Sequence, residues 1–401
     1  MPDSLIPPPT SPFTRLSCPG PDALLALVEN GVFVAPLGST LTCLSANARP
    51  GETARQLLDR LGEAASRRRL EPVQATVFCD PAADRHLATD FLFPVTCLGR
   101  HDTPAGNVQS ARICALAAGT FDRVRGAGSG ICQGAGAVWQ TPGARHLLLG
   151  ALVPPDPAAP PDVQAAALWV ILKNLLALNG FTLRDLVRTW FFNDRILDWY
   201  ADFNRVRTAF FIAHDIFGTL VPASTGIGAS NSADAALTLD ALAISPLSPL
   251  PPRAPRVETR AVPSPLQCPA NDYRSAFNRA VEIDAPDGRH LLVSGTASIE
   301  PGGRTAHTGD LDAQIDLSLR VVAAILESRG MAWTDVARAI AYFPDLSWMP
   351  RFEARRVALG LPPIPAILAH CDICRDDLLF EIELDAWKPQ EVRGTPDRPS
   401  A

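Results

Sequence analysis

The sequence predicts a mixed protein of the α/β (α+β) class, built from fused copies of one unit. The main observation is an internal repeat, because segment 161–192 resembles segment 311–343. A shift of 150 residues superposes Gln164 on Gln314, Gly180 on Gly330, Asp185 on Asp335 and Arg188 on Arg338. In each copy, apolar residues at helical spacing precede a glycine suited to a left-handed turn, and an apolar strand follows. The centre of each unit is therefore a helix, a glycine turn and a strand.

The match extends outwards in both directions. Residues 144–155 pair with residues 288–301, which gives each copy an opening strand. Residues 200–211 pair with residues 349–360 and predict a second helix after the central strand. A closing strand completes the unit, and its alignment sets Thr238 opposite Glu381 and Asp240 opposite Glu383.

The closing strand of the last copy carries two carboxylates inside an apolar run. From Leu378 to Leu384 the run predicts a buried strand, interrupted by Glu381 and Glu383. Side chains alternate faces along a strand, so both glutamates share one face. That face is either solvated or part of a site, and the second copy, with Thr238, lacks the first of the two carboxylates.

A fainter first copy precedes these two, with a helix and strand at 53–78 and a later strand near 91–99. The proline-rich segment 245–269 predicts a connector, because proline cannot donate to a sheet ladder. We therefore predict three units, at residues 1–120, 121–250 and 251–401, of which the first is degenerate and the last carries Glu381.

Composition narrows the class of partner. Charged residues make up 19% of the 401 residues and the formal net charge is -6, which disfavours nucleic acid and favours a small molecule. The start of the chain lacks a leader pattern and no apolar run suits a membrane span, so we expect a soluble, cytoplasmic protein.

Nine scattered cysteines favour reduced thiols, and no complete zinc ligand set is apparent. We therefore expect neither a metal nor another cofactor. The glycine-rich stretch 125–139 fits no phosphate-binding pattern, and we predict a loop there.

The repeat resembles the YjgF/RidA fold, whose small units normally assemble as trimers with clefts between subunits. More narrowly, four stretches resemble the FkbO-like chorismatases, which release pyruvate from chorismate. These stretches are WYADFNRVRTAFF, PASTGIGASNSADAAL, SGTASIEPGG and CRDDLLFEIE. The resemblance implies a pseudo-trimer that is self-sufficient as a monomer, with its working cleft between the second and third units.

The resemblance also implies roles for residues. Glu381 is expected to be the general acid, because a carboxyl among apolar neighbours (Leu379, Phe380, Ile382 and Leu384) has a raised pKa. With a cysteine at position 374, the sequence resembles the family members that make a hydroxybenzoate. The alternative is that Cys374 is simply a small buried hydrophobic residue. Ala297 is expected beside the substrate ring.

The other wall of the cleft should hold a dianion. Tyr200 and Arg207 share a helical face with Asn204, and a guanidinium binds carboxylates through paired hydrogen bonds. The alternative for Arg207 is a surface arginine paired with Asp202. A loop containing Ser224, Thr225 and Gly226 is expected to add hydroxyl and backbone donors.

The predicted activity is therefore conversion of chorismate to 3-hydroxybenzoate, or also 4-hydroxybenzoate, and pyruvate. Three alternatives remain: hydrolysis to 3,4-dihydroxycyclohexa-1,5-dienoate, a RidA-like enamine or imine deaminase, and a ligand-binding module. The deaminase is weakened because Ile367 replaces the usual arginine of its Pro-Ala-Arg segment.

Overall fold

Three β-sheets make up the computed structural model, which describes residues 27–125, 135–247, 256–273 and 275–389. Residues 126–134 of the predicted glycine-rich loop and residues 248–255 of the predicted connector lie outside the described residues. Cys18 and Cys132 also lie outside them, and the seven described cysteines are free.

The first sheet has seven strands in the order β1-β2-β3-β6-β4-β5-β12. Its strands are β1 (Leu27–Glu29), β2 (Val32–Leu37), β3 (Leu41–Asn47), β4 (Leu70–Phe78), β5 (Val95–Gly99), β6 (Ser110–Ala117) and, from further along the chain, β12 (Ser230–Asn231). Helix α1 (Ala54–Ser66) covers one face and begins with a capping box between Thr53 and Gln56. The short helix α2 spans Leu87–Asp90.

The second and third sheets have six strands each, ordered β11-β10-β13-β9-β8-β7 and β14-β15-β16-β19-β17-β18. The second sheet contains β7 (Phe121–Arg125), β8 (Ala135–Thr141), β9 (Ala144–Leu152), β10 (Leu186–Asn193), β11 (Ala223–Gly228) and β13 (Leu237–Pro246). The third contains β14 (Glu258–Val262), β15 (Ala280–Ala285), β16 (Gly288–Ala297), β17 (Val336–Phe343), β18 (Ala366–His370) and β19 (Glu381–Lys388).

The same strand pairing recurs in all three sheets, in the same register. The antiparallel pairs β4–β6, β10–β13 and β17–β19 each contain one irregularity near the same end. The pairs place Phe78 opposite Ser110, Phe192 opposite Thr238, and Tyr342 opposite Glu381. The predicted fold class, fused repeats that form a pseudo-trimer, is therefore confirmed.

Two helices cover the outer face of each of the last two sheets. These are α3 (Pro161–Leu178) and α4 (Ile196–Ala213) on the second sheet, and α5 (Leu311–Ser328) and α6 (Met349–Ala358) on the third. By length and composition, α3 is the one helix of the described residues that would be able to cross a membrane. In the fold it packs through Leu168, Trp169 and Leu172 into the core of the second unit.

Two local predictions are wrong. The closing strand begins at Glu381 rather than Leu378, because residues 374–377 form a bend and turn that delays entry into the ladder. Residues 224–226 are not a loop but part of β11, which pairs in parallel with β10.

Candidate functional site

A cavity of about 1120 Å³ lies between the second and third units. Helix α4 and strand β11 of the second unit form one wall. The opposite wall comes from the third unit, through the end of β16, the segment 275–279 and the start of β19. Apolar side chains cover most of this lining, and a small set of charged groups lies among them, as is typical of small-molecule sites.

Glu381 lies on the third-unit wall of this cavity and is 5% exposed. Burial, and next the negative charge of Glu383, raise the pKa of its carboxyl to about 8. The source of the burial differs from the sequence interpretation. Phe380, Ile382 and Leu384 belong to the core on the helix side of the sheet, so they do not enclose the carboxyl.

Gly295 of β16 gives the Glu381 carboxyl its room. A Cβ atom at residue 295 would lie 2.0 Å from Glu381 Oε1, closer than any real contact of this kind. The backbone amide of Gly295 itself donates to the Thr225 hydroxyl at 3.0 Å. The glycine therefore leaves a notch in which the carboxyl fits.

Arg207 lies on the opposite wall and is 2% exposed. It donates to Asn204 Oδ1 at 2.5 Å, and its guanidinium lies over the ring of Phe203. Asp202 instead pairs with Arg205, at 3.0 Å, so the alternative of a surface Arg207–Asp202 pair is wrong.

Arg279 was missed by the sequence interpretation. It lines the cavity from the third unit, donates to the Cys268 carbonyl, and its charge lowers the pKa of Glu381 in opposition to Glu383. Its only sequence signal is its place directly before the apolar run that forms β15, because neither the repeat nor a motif spacing marks it.

Tyr200 and Cys374 meet in the cavity from its two walls. Burial raises the pKa of the Tyr200 hydroxyl, and the Tyr200 hydroxyl and the Cys374 thiol influence each other's ionisation. Burial, followed by the charge of Glu381, raises the pKa of Cys374 to about 12. The thiol is therefore neutral, and it is a weak nucleophile near Glu381.

The remaining predicted residues divide into two groups. Ser224, Gly226 and Ala297 line the cavity. Thr225 alternates to the other face of β11, where its hydroxyl donates to Glu383 and accepts from Arg188 at 2.8 Å. Its side chain therefore belongs to the interior behind the cavity rather than to the cavity wall.

The positions equivalent to Glu381 in the other units are closed. Thr238 donates to the Leu152 carbonyl at 2.9 Å and lines a space of only about 20 Å³. Ser110 donates to the Leu368 carbonyl at 2.6 Å. Arg356, which the repeat aligns with Arg207, pairs with Glu353 at 2.5 Å.

Within the described part of the chain, no cluster of three or more His, Cys, Asp and Glu side chains is suited to hold a metal ion. No family model matches the sequence. A chorismatase from Streptomyces rapamycinicus is 32% identical over 243 residues, which cover 54% of this chain and 68% of that relative. The chain belongs to the chorismatase family.

Other chorismatases extend this relationship. One from Streptomyces hygroscopicus is 30% identical over 240 residues, which cover 54% of this chain and 65% of that relative. A crystal structure of a chorismatase aligns with 87% of this chain and 99% of its own, at 20% identity and a TM-score of 0.58. The two proteins therefore share one fold over most of this chain and nearly all of that structure.

Solved structures of small YjgF-type proteins match shorter parts of the chain. The YjgF gene product of E. coli aligns with 32% of this chain and 98% of its own, at 19% identity and a TM-score of 0.27.

Proposed function

We propose that this protein cleaves chorismate and releases pyruvate and a hydroxybenzoate. The observation that carries the proposal is a buried carboxyl, Glu381, in a cavity whose two walls also carry Arg207 and Arg279. Membership of the chorismatase family supports the substrate class. Chorismate has an enolpyruvyl ether and two carboxylates, so its cleavage requires a proton donor and binding of two negative charges.

Glu381 supplies the proton. With a pKa of about 8 its carboxyl is mostly protonated at neutral pH and still acidic enough to donate. Transfer to the methylene carbon of the enolpyruvyl group forms an oxocarbenium ion. The ether oxygen can then leave the ring with the electron pair of its ring bond, as part of pyruvate.

Arg207 and Arg279 suit the carboxylates of the substrate. They line the same cavity from opposite units, and both are at most 4% exposed. A charge-assisted hydrogen bond is stronger where water is excluded, so guanidinium groups at this depth favour an anionic ligand. Ser224 and the Gly226 backbone add polar groups on the Arg207 side.

The hydroxybenzoate route uses the hydroxyl on the ring itself. Its oxygen attacks the carbon that bears the ether and passes the hydroxyl proton to the Glu381 carboxylate, while the bond from that carbon to the ether oxygen breaks and pyruvate leaves. One C–O bond of the resulting epoxide then breaks, the ring carbon that keeps the oxygen loses its proton, and the oxygen takes up a proton to form the phenol. The atoms of chorismate are then divided between pyruvate and hydroxybenzoate, and water is neither consumed nor released. A neutral Cys374 thiol in the same cavity as Ala297 favours this route by occupying space that an attacking water would need. We propose 3-hydroxybenzoate as the main product.

The test is incubation of purified protein with chorismate, followed by identification of the products by mass spectrometry and authentic standards. We expect pyruvate and 3-hydroxybenzoate in equal amounts. Pyruvate accompanied by the dihydroxycyclohexadienoate would contradict the product assignment. A protein that binds chorismate but releases no pyruvate would contradict the proposed activity and favour a ligand-binding module.

A further inference from the structure

A cluster of buried charges lies where the three sheets meet. The indole ring of Trp190 is contacted by three guanidinium groups, one from each unit. Arg112 lies 5.0 Å from the ring centre, Arg188 4.8 Å and Arg338 5.2 Å. Three carboxylates, Asp240, Glu383 and Asp385, accompany these cations, and all six charged side chains are at most 4% exposed.

Glu383 is the best-bonded carboxylate of this cluster. It is 0% exposed and accepts from Arg188 at 2.5 Å, from Arg338 at 2.9 Å and from the Trp190 indole at 2.9 Å. The Thr225 hydroxyl donates a further hydrogen bond. Burial raises the pKa of Glu383, but the charges of Arg188, Arg338 and Arg112 hold it at about 2. Glu383 is therefore a permanent negative charge.

This charge lies directly behind the candidate acid. Glu381 and Glu383 are two residues apart on one face of β19. They are 5% and 0% exposed, so little water surrounds either carboxyl group. Thr225 joins them physically, because its hydroxyl contacts Glu383 and accepts from the amide of Gly295, which abuts the Glu381 carboxyl. A fixed charge so close in a dry interior opposes ionisation of a second carboxyl.

We propose that Glu383, held as a carboxylate by arginines from all three units, is a positioning residue that keeps the Glu381 carboxyl protonated for catalysis. The inference rests on the proposed function, since it assigns Glu381 the role of proton donor. It also gives a role to the buried Arg112 of the degenerate first unit, which stands where the other two units have Asp240 and Glu383 and whose charge acts on Glu383.

Other ionisable groups also act around Glu381. They are Tyr200 and Arg207 on α4, Arg188 on β10, Arg279 before β15, Tyr342 on β17, and Cys371, Cys374 and Arg375 in the loop before β19. Tyr200, Cys371, Cys374 and Tyr342 are neutral, because burial raises the pKa of each. Arg279 and Arg188 favour the Glu381 carboxylate, whereas burial and next the charge of Glu383 oppose its ionisation, so Glu383 is the charged group that counteracts these arginines.

The test compares Glu383→Gln with the charge-retaining Glu383→Asp. Loss of the negative charge lowers the pKa of Glu381, so the alkaline limb of pyruvate release should move to lower pH by about one unit or more in Glu383→Gln. Glu383→Asp should keep the limb near its parent position. Glu282→Gln is the matched control, because Glu282 is an equally buried carboxylate, bonded to Arg329 outside the cavity, and its loss should not move the limb.

A second readout does not need turnover. The infrared carbonyl band of protonated Glu381, identified by its absence in Glu381→Gln, should persist at pH 7 in the parent and disappear near pH 8. In a folded Glu383→Gln it should disappear at lower pH. A parent band already lost at pH 6, or equal titration in both proteins, would overturn the inference even if pyruvate is released. A shifted band without pyruvate release would contradict the proposed function alone.

Discussion

At the scale of single residues, the contact between Gly295 and Glu381 makes a direct prediction. A Cβ atom at residue 295 would meet Glu381 Oε1 at 2.0 Å, so Gly295→Ala must displace the carboxyl. Small misplacement of a catalytic group costs up to about a hundredfold in rate, and we expect a loss of tenfold or more in pyruvate release. Initial rates and melting temperatures of the variant measure this effect.

The matched control is Gly302→Ala, because a Cβ atom at residue 302 meets nothing within 4 Å. This variant should retain the parent rate. Equal rates for Gly295→Ala and the parent would show that the notch is irrelevant to the acid.

Cys374 carries the product prediction. Cys374→Val leaves Glu381 in place and removes the thiol beside Tyr200, so pyruvate should still form. The partner product should shift from hydroxybenzoate towards the dihydroxycyclohexadienoate, measured by chromatography against standards. Cys371→Ala is the control, because the Cys371 thiol is buried in the apolar core outside the cavity. An unchanged product ratio in Cys374→Val would refute the role of the thiol.

At the scale of elements, helix α4 carries the anion-binding prediction. Arg207→Ala removes a buried guanidinium from the cavity wall. A hydrogen bond to a charged group is worth about 1.5–3 kcal/mol, so KM for chorismate should rise by roughly tenfold to a hundredfold. Steady-state kinetics at constant ionic strength measure the change.

Arg356→Ala is the matched control for Arg207→Ala. Arg356 occupies the aligned position on α6 and pairs with Glu353 and the Leu361 carbonyl, away from the cavity. Its removal should leave KM unchanged. A similar KM for both variants and the parent would place the substrate carboxylates elsewhere.

Strand alternation explains both the success and the limits of the sequence predictions. Period two correctly placed Glu381 and Glu383 on the face opposite Phe380, Ile382 and Leu384. The same rule turns Thr225 away from Ser224 and Gly226, whereas the prediction of a loop for this segment contains no such alternation. Strand β11 pairs in parallel with a distant partner, and neither turn chemistry nor local spacing reveals such pairing.

Long-range contacts account for the residues that were missed. Arg279 enters the cavity only because the third sheet packs beside α4 of the second unit. The partners of Glu383 come from strands about 195 and 45 residues away along the chain. A single sequence gives no distance information of this kind, although it did reveal the repeat that brings equivalent strands together.

At the scale of the whole molecule, fusion places the candidate cleft inside one chain. Both walls of the cavity come from the same polypeptide, so no second copy is needed to complete it. We predict a monomer, with a mass near 42.9 kDa by light scattering during gel filtration. Activity should then be proportional to protein concentration on dilution. A stable trimer, with activity lost on dilution, would contradict this prediction.

The measurement that tests the central claim most directly is pyruvate release from chorismate by the parent protein and by Glu381→Gln. The substitution preserves the shape of the side chain and removes the transferable proton. We predict that the rate falls by roughly a hundredfold or more, the usual effect of losing a general acid, while calorimetry still detects chorismate binding. Turnover by Glu381→Gln at the parent rate would contradict the assignment of Glu381 as the proton donor.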